Sequence, residues 1–191
     1  NAPPDSTAFK GDVWSFTVEP YSIMVPDEDI IVTASSVANE FSIAENTVNG
    51  SGLDAAGNHG ISSETMWFTG TVDLDPWIQY EFDGVKKLDV MKVWNSNGPA
   101  ESAIGWGVKD VQIEYSVDGD HWEKLQDVTQ FRQASGVPTY NEYDEIAFNG
   151  VAAKQVRLNI QSNWGGLLMK SFPNSANLSR QPPSRRFTSL C

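Results

Sequence analysis

From Ile30 to Phe172 the chain is a succession of short alternating runs separated by turn-rich stretches, with no amphipathic helical period. That pattern constrains the fold more than any other feature. Ile30 to Ala34 opens it, and Trp77-Ile-Gln-Tyr-Glu-Phe alternates cleanly. Val111, Ile113, Tyr115 and Val117 fall on one face of a later run, as do Val156, Leu158 and Ile160 of another. A period of two gives each strand one apolar and one polar face. The apolar faces need a second sheet to cover them, so the expected class is all-β, an antiparallel β-sandwich. Asp118-Gly119 supplies the positive φ of a tight hairpin and returns Trp122 toward the core, where Trp67 and Trp77 are also expected to pack.

The flanks differ in character. Residues 1–29 hold one alternating stretch, Gly11 to Glu19, followed by Pro20, Pro26 and an acidic run. They read as a residual strand of an upstream domain plus a linker. Residues 173–191 carry three arginines, no acid and three prolines, and are expected to lack a strand and to form an atypical tail, disordered or frame-shifted. The 191 residues, 40% of them hydrophobic, suit one substantial core, placed at 30–172. A net charge of -12 opposes nucleic-acid and anionic-lipid partners, because both require clustered cations. No apolar run reaches the roughly 18 residues of a membrane span. Cys191 is the sole cysteine, so an internal disulfide is not available.

Strand polarity sorts the connections. In an antiparallel sandwich successive connections fall at opposite ends. The short ones, at 83–87, 118–121 and 149–153, share one end, and the long ones, at about 46–70, 95–107, 132–141 and 162–166, share the other. Four distant segments are thereby expected to meet on one loop-built surface, a common place for a site on a rigid frame.

Several motifs stand in a recognisable order: Ala34-Ser-Ser, Asn49-Gly50, Met66-Trp-Phe, Trp77-Ile-Gln-Tyr-Glu-Phe, Val108 to Trp122, Val151-Ala-Ala-Lys-Gln-Val-Arg-Leu and Asn163-Trp-Gly-Gly. In these the chain resembles a discoidin domain, the coagulation-factor 5/8 C type, of the galactose-binding-like superfamily. It is most similar to family 32 carbohydrate-binding modules of large secreted or cell-surface bacterial proteins. The resemblance implies a discoidin-like jelly roll without catalytic activity, joined covalently to catalytic or adhesive domains. It also implies a structural Ca2+ beside the Asn49-Gly50 turn, with Ala44, Asn46, Asn49 and Ser51 as the ligand region. The family's closing strand after Phe172 is replaced by Pro173-Asn-Ser-Ala-Asn, which implies a sheet edge near Ile30 to Ala34 that is either open or capped by the Trp14 segment.

The resemblance implies a polysaccharide or oligosaccharide ligand, and a plant cell-wall glycan such as xylan or β-glucan is the first expectation. A pyranose offers C–H bonds to an indole and hydroxyls to amides, guanidinium groups and carboxylates. The candidates in the long loops are Trp106, set between glycines, with Trp164, Asn95, Asn97, Glu101, His59, Arg132 and Gln133. Catalysis is not expected, since His59 and His121 fall at opposite ends and Glu101 has no evident acidic partner. A protein-binding adhesion module is the alternative.

Overall fold

The computed structural model describes residues 22–125, 130–165, 171–172 and 175–180. Nine strands occur there: β1 (Ile23–Met24), β2 (Ile30–Ala34), β3 (Trp67–Phe68), β4 (Trp77–Trp94), β5 (Val111–Ser116), β6 (Glu123–Lys124), β7 (Asp144–Ile160), β8 (Ser171–Phe172) and β9 (Ser175–Arg180). One short helix, α1 (Glu101–Ile104), lies between β4 and β5. The fold is an antiparallel β-sandwich of the expected class.

Two long bent strands build both layers. The first half of β4 pairs with β2 and with the end of β7, while its second half pairs with the start of β7 and with β9. The register slips between Glu81 and Lys86 and again between Leu88 and Val90, where Asn149 and Gly150 take φ of 53° and 81° on the partner. A bulge of this kind lets a strand leave one layer and enter the other without ending. The expected turns at 83–87 and 149–153 are therefore corner bends inside continuous strands. The hairpin is a true turn, with Gly119 at φ 86°.

Alternation fills the space between the layers. Ile78, Tyr80, Phe82, Val156, Leu158, Ile160, Val111 and Ile113 from one layer meet Leu88, Met91, Val93, Ile146 and Phe148 from the other, all buried. Each such side chain contributes about 1.5–3 kcal/mol on leaving water. The expected apolar face of β5 stops short of the turn: Tyr115 is half-buried and Val117 is exposed.

Three expectations are corrected. Ser175–Arg180 form a strand between β1 and β4, with Leu178 in the core and Val25 N donating to Leu178 O at 2.7 Å. The prolines at 173, 182 and 183 lie outside it, where proline does not interrupt a ladder. Residues 22–29 are part of the sandwich rather than only linker, since β1 pairs with β9 and Val25 is buried. Among the described residues β2 pairs only with β4 and stands at an edge, and the Trp14 segment named as its cap lies outside them. Of the three tryptophans assigned to packing, Trp67 is fully buried, but Trp77 and Trp122 are half-buried, and Trp77 shares the outward parity of Gln79 and Glu81. The expected upstream strand at 11–19 and the rest of the tail at 181–191 lie outside the described residues.

Candidate functional site

The long segments meet, and buried amides hold them. Asn97 Nδ2 donates to His59 O and Val137 O, both at 2.8 Å, and its Oδ1 accepts Gly136 N at 2.8 Å. Asn95 Nδ2 donates to Val108 O at 2.6 Å and to Arg132 O at 2.8 Å, while its Oδ1 accepts Val108 N at 3.0 Å. His59 N donates to Tyr140 O at 2.6 Å. Gly165 N donates to Gly105 O at 2.7 Å, which joins the loop of Trp164 to the loop of Trp106. The approach leaves no room for a side chain, because a Cβ on Gly165 would strike Ile104 O and one on Gly105 would strike Gly165 N.

This network corrects four of the expected ligand contacts. Asn95, Asn97, Glu101 and His59 are buried, so they build the rim from beneath rather than face a ligand. The physical reason is that a cluster of turns has many backbone groups without ladder partners, and side-chain amides satisfy them. Glu101 Oε1 accepts Gly107 N at 2.8 Å, and its carboxylate also accepts the main-chain N–H of Trp106. Burial nevertheless pushes its carboxyl up to about 7, with the two N–H donors opposing. Burial lowers His59 to about 4, and neither of its ring nitrogens has a hydrogen-bond partner among the described residues. Gln133 Nε2 donates to Glu101 O at 2.9 Å. Arg132 is exposed but paired with Asp144 at 3.1 Å and Glu142 at 2.8 Å.

The two loop tryptophans are half-buried. Trp106 packs edge-on against Phe68, ring centres 6.0 Å apart at 89°, which pins the indole at the rim. Trp164 is tied more tightly: its Nε1 donates to Phe131 O at 3.1 Å, and the Lys109 ammonium lies 5.2 Å from its ring centre. Trp106 is therefore the freer aromatic surface.

Sequence reasoning missed a polar hollow of about 460 Å3 beside the Trp164 loop, lined by Asp110, Gln112, Lys124, Gln130 and Gln161 with Val111 and Leu125. Asp110 accepts Ser162 Oγ at 2.5 Å and Gln130 Nε2 at 3.2 Å, and these bonds hold its carboxyl below its ordinary value. The available signal was the polar pair Asp110 and Gln112 around the first residue of β5.

At the Asn49-Gly50 turn, Asn49 Oδ1 accepts Ser51 N at 2.8 Å and Ala44 O accepts Thr47 Oγ1 at 2.8 Å. Asn46 turns inward, its Nδ2 donating to Phe41 O, Glu64 O and Met66 O. The group is oxygen-rich, as calcium requires, but neutral. Asp27 supplies a carboxylate in the hollow that it lines with Asn49 and Gly50. That donor set fits a weakly held calcium ion.

No curated protein matches the chain. Among solved structures, CpGH89CBM32-5 from Clostridium perfringens, in complex with GalNAc-β-1,3-galactose, is similar with a TM-score of 0.59 and 17% identity, covering 82% of this chain and 99% of its own. CBM32-3 from a family 31 glycoside hydrolase of the same organism gives a TM-score of 0.61 at 17% identity, covering 83% and 95%. A pectin binding carbohydrate-binding module gives 0.54 at 18% identity, covering 84% and 93%. At these identities the likeness is one of fold. The F5/8 type C domain model matches residues 31–171, from the opening strand to β8 and across all four rim segments, and the chain belongs to that family.

Proposed function

We propose that this chain is a non-catalytic carbohydrate-binding module that holds a larger secreted or surface protein at a polysaccharide. The observation that carries the reading is the rim itself: distant segments, locked together by Asn95, Asn97 and the Gly105–Gly165 crossing, present the Trp106 indole at one end of a rigid sandwich. The ligands named for the structural neighbours, GalNAc-β-1,3-galactose and pectin, support the ligand class. Xylan or β-glucan remains the first candidate within it. A stacked indole contributes about 0.5–1.5 kcal/mol beyond area and each hydrogen bond about 1 kcal/mol, so a single site binds in roughly the micromolar to millimolar range. Such a module acts by avidity with its linked domains.

Trp106→Ala is expected to lower affinity about tenfold with the fold intact. The check is affinity electrophoresis through gels of xylan, β-glucan, pectin or galactan, beside a glycan array. Equal retention of variant and wild type removes Trp106 from the site, and silence of the wild type on every glycan favours a protein ligand.

A specific patch favours that second reading. Val72 and Leu74 are 88% and 74% exposed on a loop that Asp73 ties to Ser35 and Ser36, beside exposed Val37. Apolar residues grouped on adjoining loops are a recurring mark of protein contact.

Calcium belongs to the same reading. Main-chain oxygens around Ala44 to Ser51, the Asn49 side chain and Asp27 would hold the ion, which would stiffen the turn. Millimolar calcium is expected to raise Tm by a few degrees in the wild type and not in Asp27→Asn. An unchanged wild-type Tm counts against the ion.

A further inference from the structure

Away from the rim, the outer face of the layer formed by β2, the first half of β4, the end of β7 and β5 carries an arrangement that core packing does not explain. The Arg157 guanidinium lies 4.3 Å from the Trp122 ring centre and 5.2 Å from that of Trp77. Both indoles are half-exposed. Trp77 reaches this face by strand parity, and Trp122 is folded back over it by the hairpin, where its Nε1 donates to Gly119 O at 3.0 Å. Arg157 Nε and Nη2 both donate to the Gln79 side-chain oxygen, at 2.9 and 2.6 Å, and among the described residues Arg157 has no ion-pair partner. Cross-strand register sets Asn159 between Trp77 on β4 and Gln112 on β5.

We infer that this face is a second saccharide site, separate from the rim, that takes a neutral polysaccharide chain lying across the strands. This inference rests on the carbohydrate-binding reading. Indole faces accept the C–H side of a pyranose, and beside them the Asn159 amide and the Gln79 Nε2 group offer partners to hydroxyls, while Gln79 Oε1 holds Arg157 and Gln112 bonds to Glu114 and Lys124. The charges decide against an acidic sugar. Glu114 stands across from Arg157 on β5, so the guanidinium is offset on its own face, and Glu81 and Lys154 cancel each other at 3.1 Å. A sheet face suits an extended chain, whereas the loop-built rim suits a terminal sugar. Occupying both surfaces along one polymer multiplies retention without new contacts at either.

The test uses the whole chain with Trp122→Ala, Asn159→Ala and Trp106→Ala. Each is run through native gels containing xylan or β-glucan, titrated with galactose and xylose by NMR, and checked for Tm. Trp122→Ala unstacks Arg157 as well as removing a platform, so Asn159→Ala, which leaves the Trp77–Arg157–Trp122 stack in place, is the second arm. The expected result is a three- to tenfold loss of polymer retention for Trp122→Ala and about threefold for Asn159→Ala, with monosaccharide binding unchanged. If Trp106→Ala alone abolishes retention and both face variants match the wild type, the second site is overturned and the rim stands. If the wild type binds no saccharide, both fall.

Discussion

Asn97→Ala is expected to lower the folding free energy by about 3 kcal/mol and to weaken saccharide binding with it. The side chain is fully buried and joins three loops through His59 O, Val137 O and Gly136 N. Removing it leaves His59 O and Gly136 N without that partner and Val137 O with only Tyr140 N, and each buried group left unsatisfied costs about 1–3 kcal/mol before water partly refills the space. Arg132→Ala is the contrast. It removes ion pairs from a side chain that is 47% exposed, and surface pairs of that kind contribute less than about 1 kcal/mol. Urea unfolding of both variants checks the ranking. A smaller loss for Asn97→Ala than for Arg132→Ala would mean that the rim is not held together by its buried amides.

The pH dependence of stability is expected to be nearly flat in the wild type between about pH 4.5 and 6.5, and steep in Glu101→Gln. Folding lowers His59 from 6.5 to about 4, so between those values the unfolded chain binds the extra proton and stability rises with pH. Folding raises Glu101 from 4.5 to about 7, so there the folded chain holds the extra proton and stability falls as pH rises. Each slope is about 1.4 kcal/mol per pH unit, and in the shared window they oppose each other. Glu101→Gln keeps an acceptor for Gly107 N but removes the falling limb. Its stability should therefore climb by about 3 kcal/mol from pH 4.5 to 6.5, measured by urea unfolding at each pH. The depressed carboxylates Asp110 and Asp118 act at lower pH, outside this window. A flat Glu101→Gln profile would show that the His59 ring keeps its proton in the fold.

Much of the architecture was legible in advance because alternation is a local property. Val156, Leu158 and Ile160 had one buried face to occupy, and they occupy it. The long loops do gather at one end as the strand count had them, although two of the turns in that count, at 83–87 and 149–153, are bends inside continuous strands. What misled was composition read without partners. The prolines at 173, 182 and 183 suggested a tail without a strand, yet β9 fits between them. Asn95, Asn97 and Glu101 looked like hands for sugar hydroxyls because they sit in a loop with Trp106. Buried backbone in a folded loop needs the same donors and acceptors, and that need took them first.

The sequence by itself determined the strand pattern, the family and the end of the sandwich where the loops gather, because each follows from spacing along the chain. Only the tertiary structure decided which polar side chains face inward, that Trp77 and Trp122 flank Arg157 on an outer face, and that Ser175–Arg180 close a sheet. Those outcomes depend on which groups distant in sequence come within hydrogen-bonding or stacking range, and no local period encodes that distance.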